Sequence, residues 1–200
     1  MVTFVIAALV IELTPGPNMT WLAITGTSRG RPAALAAVAG IALGLAFAGI
    51  VAALGLAAII AATPWLFQAL RWAGSLYLLY LAWDAWRDSS IQPAQGGSSA
   101  GKAFLQGLVS NCLNPKAYIF YAAILPQFID PAQPLPMQLF VLTAIYLAIA
   151  TGVHAAIAIA AGSLTAWLGR TPRAVLVRRL MAAATAAVAV WFFVATGSLK

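Results

Sequence analysis

Apolar runs long enough to cross a hydrocarbon core of ~30 Å recur along this whole 200-residue chain. In lipid, backbone groups have no water to bind, so such runs are read as spanning helices. The composition agrees: 63% of residues are hydrophobic and 8% charged, with mean hydropathy +0.94. A soluble globular domain carries about 25% charged residues. The length leaves room for about six spans and for no sizeable soluble domain. The expected fold class is therefore all-α, a polytopic membrane protein of six transmembrane helices in one domain. No cleavable signal peptide is expected, because Met1, Val2 and Thr3 supply no positive region ahead of the first apolar run.

Two of these runs are interrupted at matching places. The first, Ile11–Trp21, contains Glu12, Thr14, Pro15, Gly16, Pro17 and Asn18. The second, Asn111–Tyr121, contains Asn111, Asn114, Pro115 and Lys116. Pro15 and Pro115 lie 100 residues apart, and at that offset Phe4 falls on Phe104 and Leu13 on Leu113. A proline inside a helix removes a backbone donor and clashes with the carbonyl one turn back. One such break per half is the sequence pointer to a midplane binding site in a repeat-built transporter. The expected organisation is repeat one over 1–86, a flexible linker over 87–101 and repeat two over 102–200, with helices 1 and 4 broken. Three spans per half would give the second repeat the opposite orientation to the first.

Segment two is expected over about Ala33 to Ala62, after a Gly26–Pro32 loop, and segment three over about Trp65 to Trp86. Segment four runs from about Lys102 to Leu125 and segment five from about Met137 to Leu168. Segment six follows a basic loop over Gly169–Arg179. The loops after segments one, three and five hold Arg29, Arg31, Arg87, Lys102, Arg170, Arg173, Arg178 and Arg179, most of the 11 Lys and Arg. The positive-inside rule then places these loops in the cytoplasm and both termini outside. The same rule accounts for the net charge of +7 without a nucleic-acid partner. Ala36, Gly40, Gly44, Ala48 and Ala52 recur every four residues in segment two. Ala144, Ala148, Gly152, Ala156 and Ala160 do so in segment five. Small residues at this spacing let helices approach closely in lipid, within one chain or between copies. Gly40, Gly44 and Gly152 are the expected packing glycines, and a homo-oligomer stays open.

Glu12 is the one acidic residue within the expected hydrocarbon region, roughly 13 Å into segment one. A carboxylate there must be paired, protonated or turned to a wet cavity. It serves either as a carrier of the coupling proton or as a structural partner of a cation. Lys116 is its basic counterpart. It either pairs with Glu12 across the repeat interface or snorkels to the nearer surface. Unwound backbone at the breaks offers carbonyls and N–H groups, and half-helix N-termini attract anions. One lysine, one glutamate and such backbone suit a molecule bearing both ammonium and carboxylate, as amino acids do. Asn18, Asn111 and Asn114 either bind substrate or satisfy backbone groups freed by proline. His154 serves as a proton relay or as a packed neutral ring. One histidine and one cysteine, Cys112, make no multi-imidazole metal site and no intrachain disulfide. No metal and no cofactor is expected.

Leu13 to Asn18, Ser28 to Arg31, Gly40 and Gly44, and Ala73 to Leu78 together resemble the LysE/RhtB family of amino-acid exporters. The match continues through Asn111 to Ala117 and Leu125 to Phe128, and covers nearly the whole chain. The resemblance implies export of amino acids or related metabolites across the inner membrane, driven by protons or another ion, and no enzymatic activity. The family's first motif often ends in Asp where this chain has Asn18. Glu12 stands where many relatives are uncharged, so its role rests on the physical argument alone. The wider superfamily offers two alternatives. A membrane thiol–disulfide relay would need a cysteine pair, and a divalent-metal exporter a fuller ligand set.

Overall fold

The computed structural model describes residues 1–14, 16–55, 63–87, 98–168 and 172–197. Pro15 lies outside them, as do residues 88–97 of the expected linker. The described elements are α1 (Val2–Leu13), α2 (Pro17–Ala53), α3 (Pro64–Arg87), α4 (Ser98–Cys112) and α5 (Pro115–Ile119). A π-helical turn (Phe120–Ile124) and a 3-10 turn (Leu125–Phe128) continue α5, and α6 (Leu135–Leu168) and α7 (Pro172–Gly197) complete the chain. No strand occurs among the described residues. Both expected breaks fall where the prolines put them, between α1 and α2 and between α4 and α5.

The nominally continuous α2 is folded in two at Gly30, whose φ of 80° and ψ of 177° leave the helical region. Asn18 and Leu45 line one small cavity, although a straight helix would hold them roughly 40 Å apart. The 17–29 arm therefore runs back along the 31–53 arm. Glycine adopts this left-handed φ without steric cost, and Pro32 sits in the first turn of the second arm, where no donor is missed. The expected Gly26–Pro32 loop is thus a one-residue reversal. Three other boundaries also move. Segment two ends at Ala53, short of Ala62, with Gly55 at φ 78° in the turn that follows. Helix α4 begins at Ser98, and Pro172 starts α7 inside the expected basic loop, as proline at a helix N-terminus can.

The 31–53 arm is the centre of the bundle, packed between α4 and α6, while α1 lies on α6 and α3 on α7. A Cβ on Gly40 would come 2.0 Å from the Phe104 carbonyl oxygen, and one on Gly44 would lie 3.0 Å from that of Leu108. A Cβ on Gly107 of α4 would in return come 2.3 Å from the Ala37 carbonyl oxygen. These are the backbone approaches that small-residue spacing predicts. At Gly152, no described residue lies within 4 Å of where a Cβ would be, so within one chain it makes no such approach. Ala144, Ala148, Gly152, Ala156 and Ala160 all face outward. The buried face of α6 is two residues out of phase, carrying Leu142, Tyr146, Ala150, His154 and Ala158.

The two ends of the bundle differ in charge. At one, Arg29 donates to Asp84 at 2.9 Å and to Gln106 at 2.7 Å, and Lys102 reaches Asp84 at 3.3 Å. Arg31 donates to Ser163 at 2.5 Å beside them. Arg29 and Arg31 of the first connection thus meet Asp84, Lys102 and Ser163 at one end. At the other end Met1 lies with Phe128, Asp130 and Gln133. Among the described residues, Leu135–Ser163 is long and apolar enough to cross a membrane, as is Pro17–Ala53 when counted through its fold at Gly30.

Candidate functional site

The first break exposes carbonyls and the second supplies a cation to them. Where α1 stops, Lys116 Nζ donates to the Ile11 carbonyl at 2.6 Å and to the Thr14 carbonyl at 3.2 Å. Helix C-termini end in unpaired carbonyls and carry partial negative charge, which an ammonium stabilises. The lysine stem passes beside Gly16, with Nζ and Cδ 3.8 and 3.9 Å from where its Cβ would be, an ordinary contact distance. Pro17 then opens α2, with Gly16 as N-cap. Thr14 turns its hydroxyl back to the Val10 carbonyl at 2.8 Å.

The second break repairs itself. Asn114 Oδ1 accepts from Lys116 N at 3.1 Å as the N-cap of α5, and Pro115 takes the first helical position. Asn114 thus follows the backbone-satisfying alternative. Asn18 and Asn111 do something else. Ser110 Oγ donates to Asn18 Oδ1 at 3.1 Å, and Asn18 Nδ2 donates to Asn111 Oδ1 at 2.8 Å. This chain ties the two breaks together and fixes the Asn111 amide. It leaves Asn111 Nδ2 buried without a hydrogen-bond partner, on a residue 2% exposed.

Glu12 is buried at 5% exposure, and its partners come from α6. Tyr146 donates its hydroxyl to Oε1 at 2.6 Å, and His154 Nε2 stands 3.6 Å from Oε2. The Tyr146 ring is clamped by a stack on Phe120, centroids 3.6 Å apart, and an edge contact with Tyr121 at 5.7 Å. A π-turn inserts one extra residue per turn, which lets consecutive aromatics at 120 and 121 both reach that ring. The expected direct Glu12–Lys116 pair is therefore corrected. The two charges face one pocket but bind different partners, because the unwound end of α1 draws the ammonium to its carbonyls. The snorkelling alternative is not taken either.

A cavity of about 20 Å³ joins these groups, lined by both breaks, by Leu45 of the 31–53 arm and by Tyr146 and His154. Seven residues expected at the site meet there: Glu12, Gly16, Pro17, Asn18, Asn111, Asn114 and Lys116. Thr14 and Pro115 flank it. Tyr146 and Ser110 were not expected. The available signal was their polarity inside apolar spans, which by default marks a functional position.

Helices throughout, with a buried carboxylate, an ammonium and three amides gathered between two broken helices, define an all-helical membrane protein with a polar interior site. The chain belongs to the LysE type translocator family, whose model matches residues 9–196. It is 31% identical over 199 residues to an uncharacterized membrane protein of Pseudomonas aeruginosa, covering 95% of this chain and 89% of that one. It is 28% identical to a homoserine/homoserine lactone efflux protein of Salmonella typhimurium, over 82% of each chain. A leucine efflux protein of Klebsiella pneumoniae is 31% identical, over 80% of this chain and 78% of the relative. No solved structure matches the chain.

Proposed function

We propose that this protein is a secondary transporter that exports amino acids or related small metabolites from the cytoplasm, coupled to a proton or ion gradient. The observation that carries the reading is the polar pocket built by both breaks. It offers an ammonium and an unpartnered amide donor on one side and a carboxylate on the other. Lys116 and Asn111 suit a substrate carboxylate, and Glu12 suits either a substrate ammonium or the coupling proton. The names of the relatives, homoserine and leucine efflux among them, point to the same class of cargo. At about 20 Å³ the cavity has room for about one water, so an amino acid enters only if the two breaks move apart.

The same reading takes the bundle as six spans in two inverted three-helix halves, in the cytoplasmic membrane. Arg29, Arg31 and Lys102 lie at one end of the bundle. The positive-inside rule favours the cytoplasm for that end and the outside for both termini. Metabolite profiling of the medium, from cells with and without the protein, tests the function. One or more amino acids should accumulate outside only when the protein is present. An unchanged medium, together with no counterflow of homoserine or leucine in proteoliposomes, would contradict it. Orientation is read with an impermeant thiol reagent on Ser98→Cys in a Cys112→Ala background. Labelling from outside intact cells would reverse it.

A further inference from the structure

Glu12 is the chain's single glutamate and His154 its single histidine. They stand 142 positions apart in sequence, on α1 and α6, and the fold brings Oε2 and Nε2 to 3.6 Å. Both residues are 5% exposed and both line the cavity between the breaks. A histidine serving only to pack would be expected to give its ring nitrogens to backbone or hydroxyl partners. Here the ring nitrogen faces a carboxylate whose other oxygen is already held by Tyr146. The geometry points to a single proton centre, in which one exchangeable proton resides on Glu12 Oε2 or on His154 Nε2 and Tyr146 orients the carboxylate.

This rests on the transport reading and names the atoms of its coupling step. At 3.6 Å the two atoms are beyond direct hydrogen-bond reach, so proton transfer needs a closer approach or one bridging water, for which the adjoining cavity has room. The transfer breaks the N–H bond at Nε2 and forms an O–H bond at Oε2. It converts carboxylate and imidazolium into carboxylic acid and neutral imidazole, with no change in net charge. Loss of that proton from the pair changes the site by one charge, which is what a gradient can act on. The other groups facing the pair are Lys116 from α5, Tyr146 from α6 itself and Tyr121 from the π-turn. Lys116 is held beside the pair on the α1 carbonyls. Strongly interacting groups of this kind titrate as a unit and not as two residues.

Because each residue type occurs once, isotope labelling reads each site alone. Protein carrying ¹⁵N-histidine and ¹³Cδ-glutamate, in lipid nanodiscs without substrate, is titrated by NMR. The imidazole and carboxyl signals should change together over one pH interval. Glu12→Gln should shift the imidazole midpoint, because the neighbouring charge is gone. Different midpoints for the two signals, or a histidine indifferent to Glu12→Gln, would overturn the proposal. If Glu12→Gln does not fold, the parent curves decide alone. The sample holds no substrate, so coupled titration beside absent export would defeat the transport reading and leave the proton pair standing.

Discussion

At the end of α1, the carbonyls of Ile11 and Thr14 are bound by a lysine brought from the other half of the chain. At the end of α4, Tyr118 donates to the Cys112 carbonyl and Asn114 caps the next helix, all within seven residues. Prolines at equivalent places thus produce an open break and a closed one. The small-residue stripes diverge in the same way: Gly40 is packed against the α4 backbone, while no described residue lies within 4 Å of a Cβ placed on Gly152. Proline fixes where a helix stops, but what meets the stopped end depends on the neighbour that packing delivers. The open break is the one beside Glu12, and that is where the polar site forms.

The largest expected effect breaks the comparison of the stripes. Gly40→Leu drives a side chain into the Phe104 carbonyl, a backbone atom that cannot rotate away. Overpacking costs typically about 1–3 kcal/mol, so folded, monodisperse protein should be reduced or lost. Gly152→Leu should melt like the parent in detergent, and an equal loss would mean that the outward face of α6 is covered in the folded protein. Next in size is Lys116→Met, which keeps most of the volume and removes the donor. The carbonyls left at the first break cost about 1–3 kcal/mol if unsatisfied, read as a fall in thermal midpoint. Asn114→Ala sharpens the contrast from the other side. Losing a single N-cap costs about 1 kcal/mol, so the closed break should be the milder lesion. Tyr146→Phe should stand beside Lys116→Met in stability. It keeps the stack on Phe120 and removes one hydrogen bond, worth about 1.5–3 kcal/mol when the acceptor is charged. Its main readout should be the pH dependence of transport.

Much of this arrangement was legible in the chain. Proline rules located both breaks, and the glycine spacing found the approach of the 31–53 arm to α4. The residues that gather in the cavity at the breaks were legible because charge and amides are rare in apolar spans. What was not legible concerns phase and partner. The stripe on α6 is as regular as that on α2, yet periodicity alone does not say which face turns inward. The clamp on Tyr146 depends on a π-turn, which has no simple sequence mark. Lys116 and Glu12 looked like a pair because both are charged. The competing attraction of helix-end carbonyls is visible only once α1 is seen to stop beside the lysine.

The central claim is that the open break makes Glu12 the coupling group. It is tested by reconstituting Glu12→Gln into proteoliposomes with an amino acid that the profiling identifies. The side chain keeps its shape and its acceptor for Tyr146 but cannot cycle a charge. Transport driven by a pH gradient should be lost, while counterflow exchange of the same amino acid, which needs no net proton movement, persists. Full gradient-driven transport by Glu12→Gln would contradict the account.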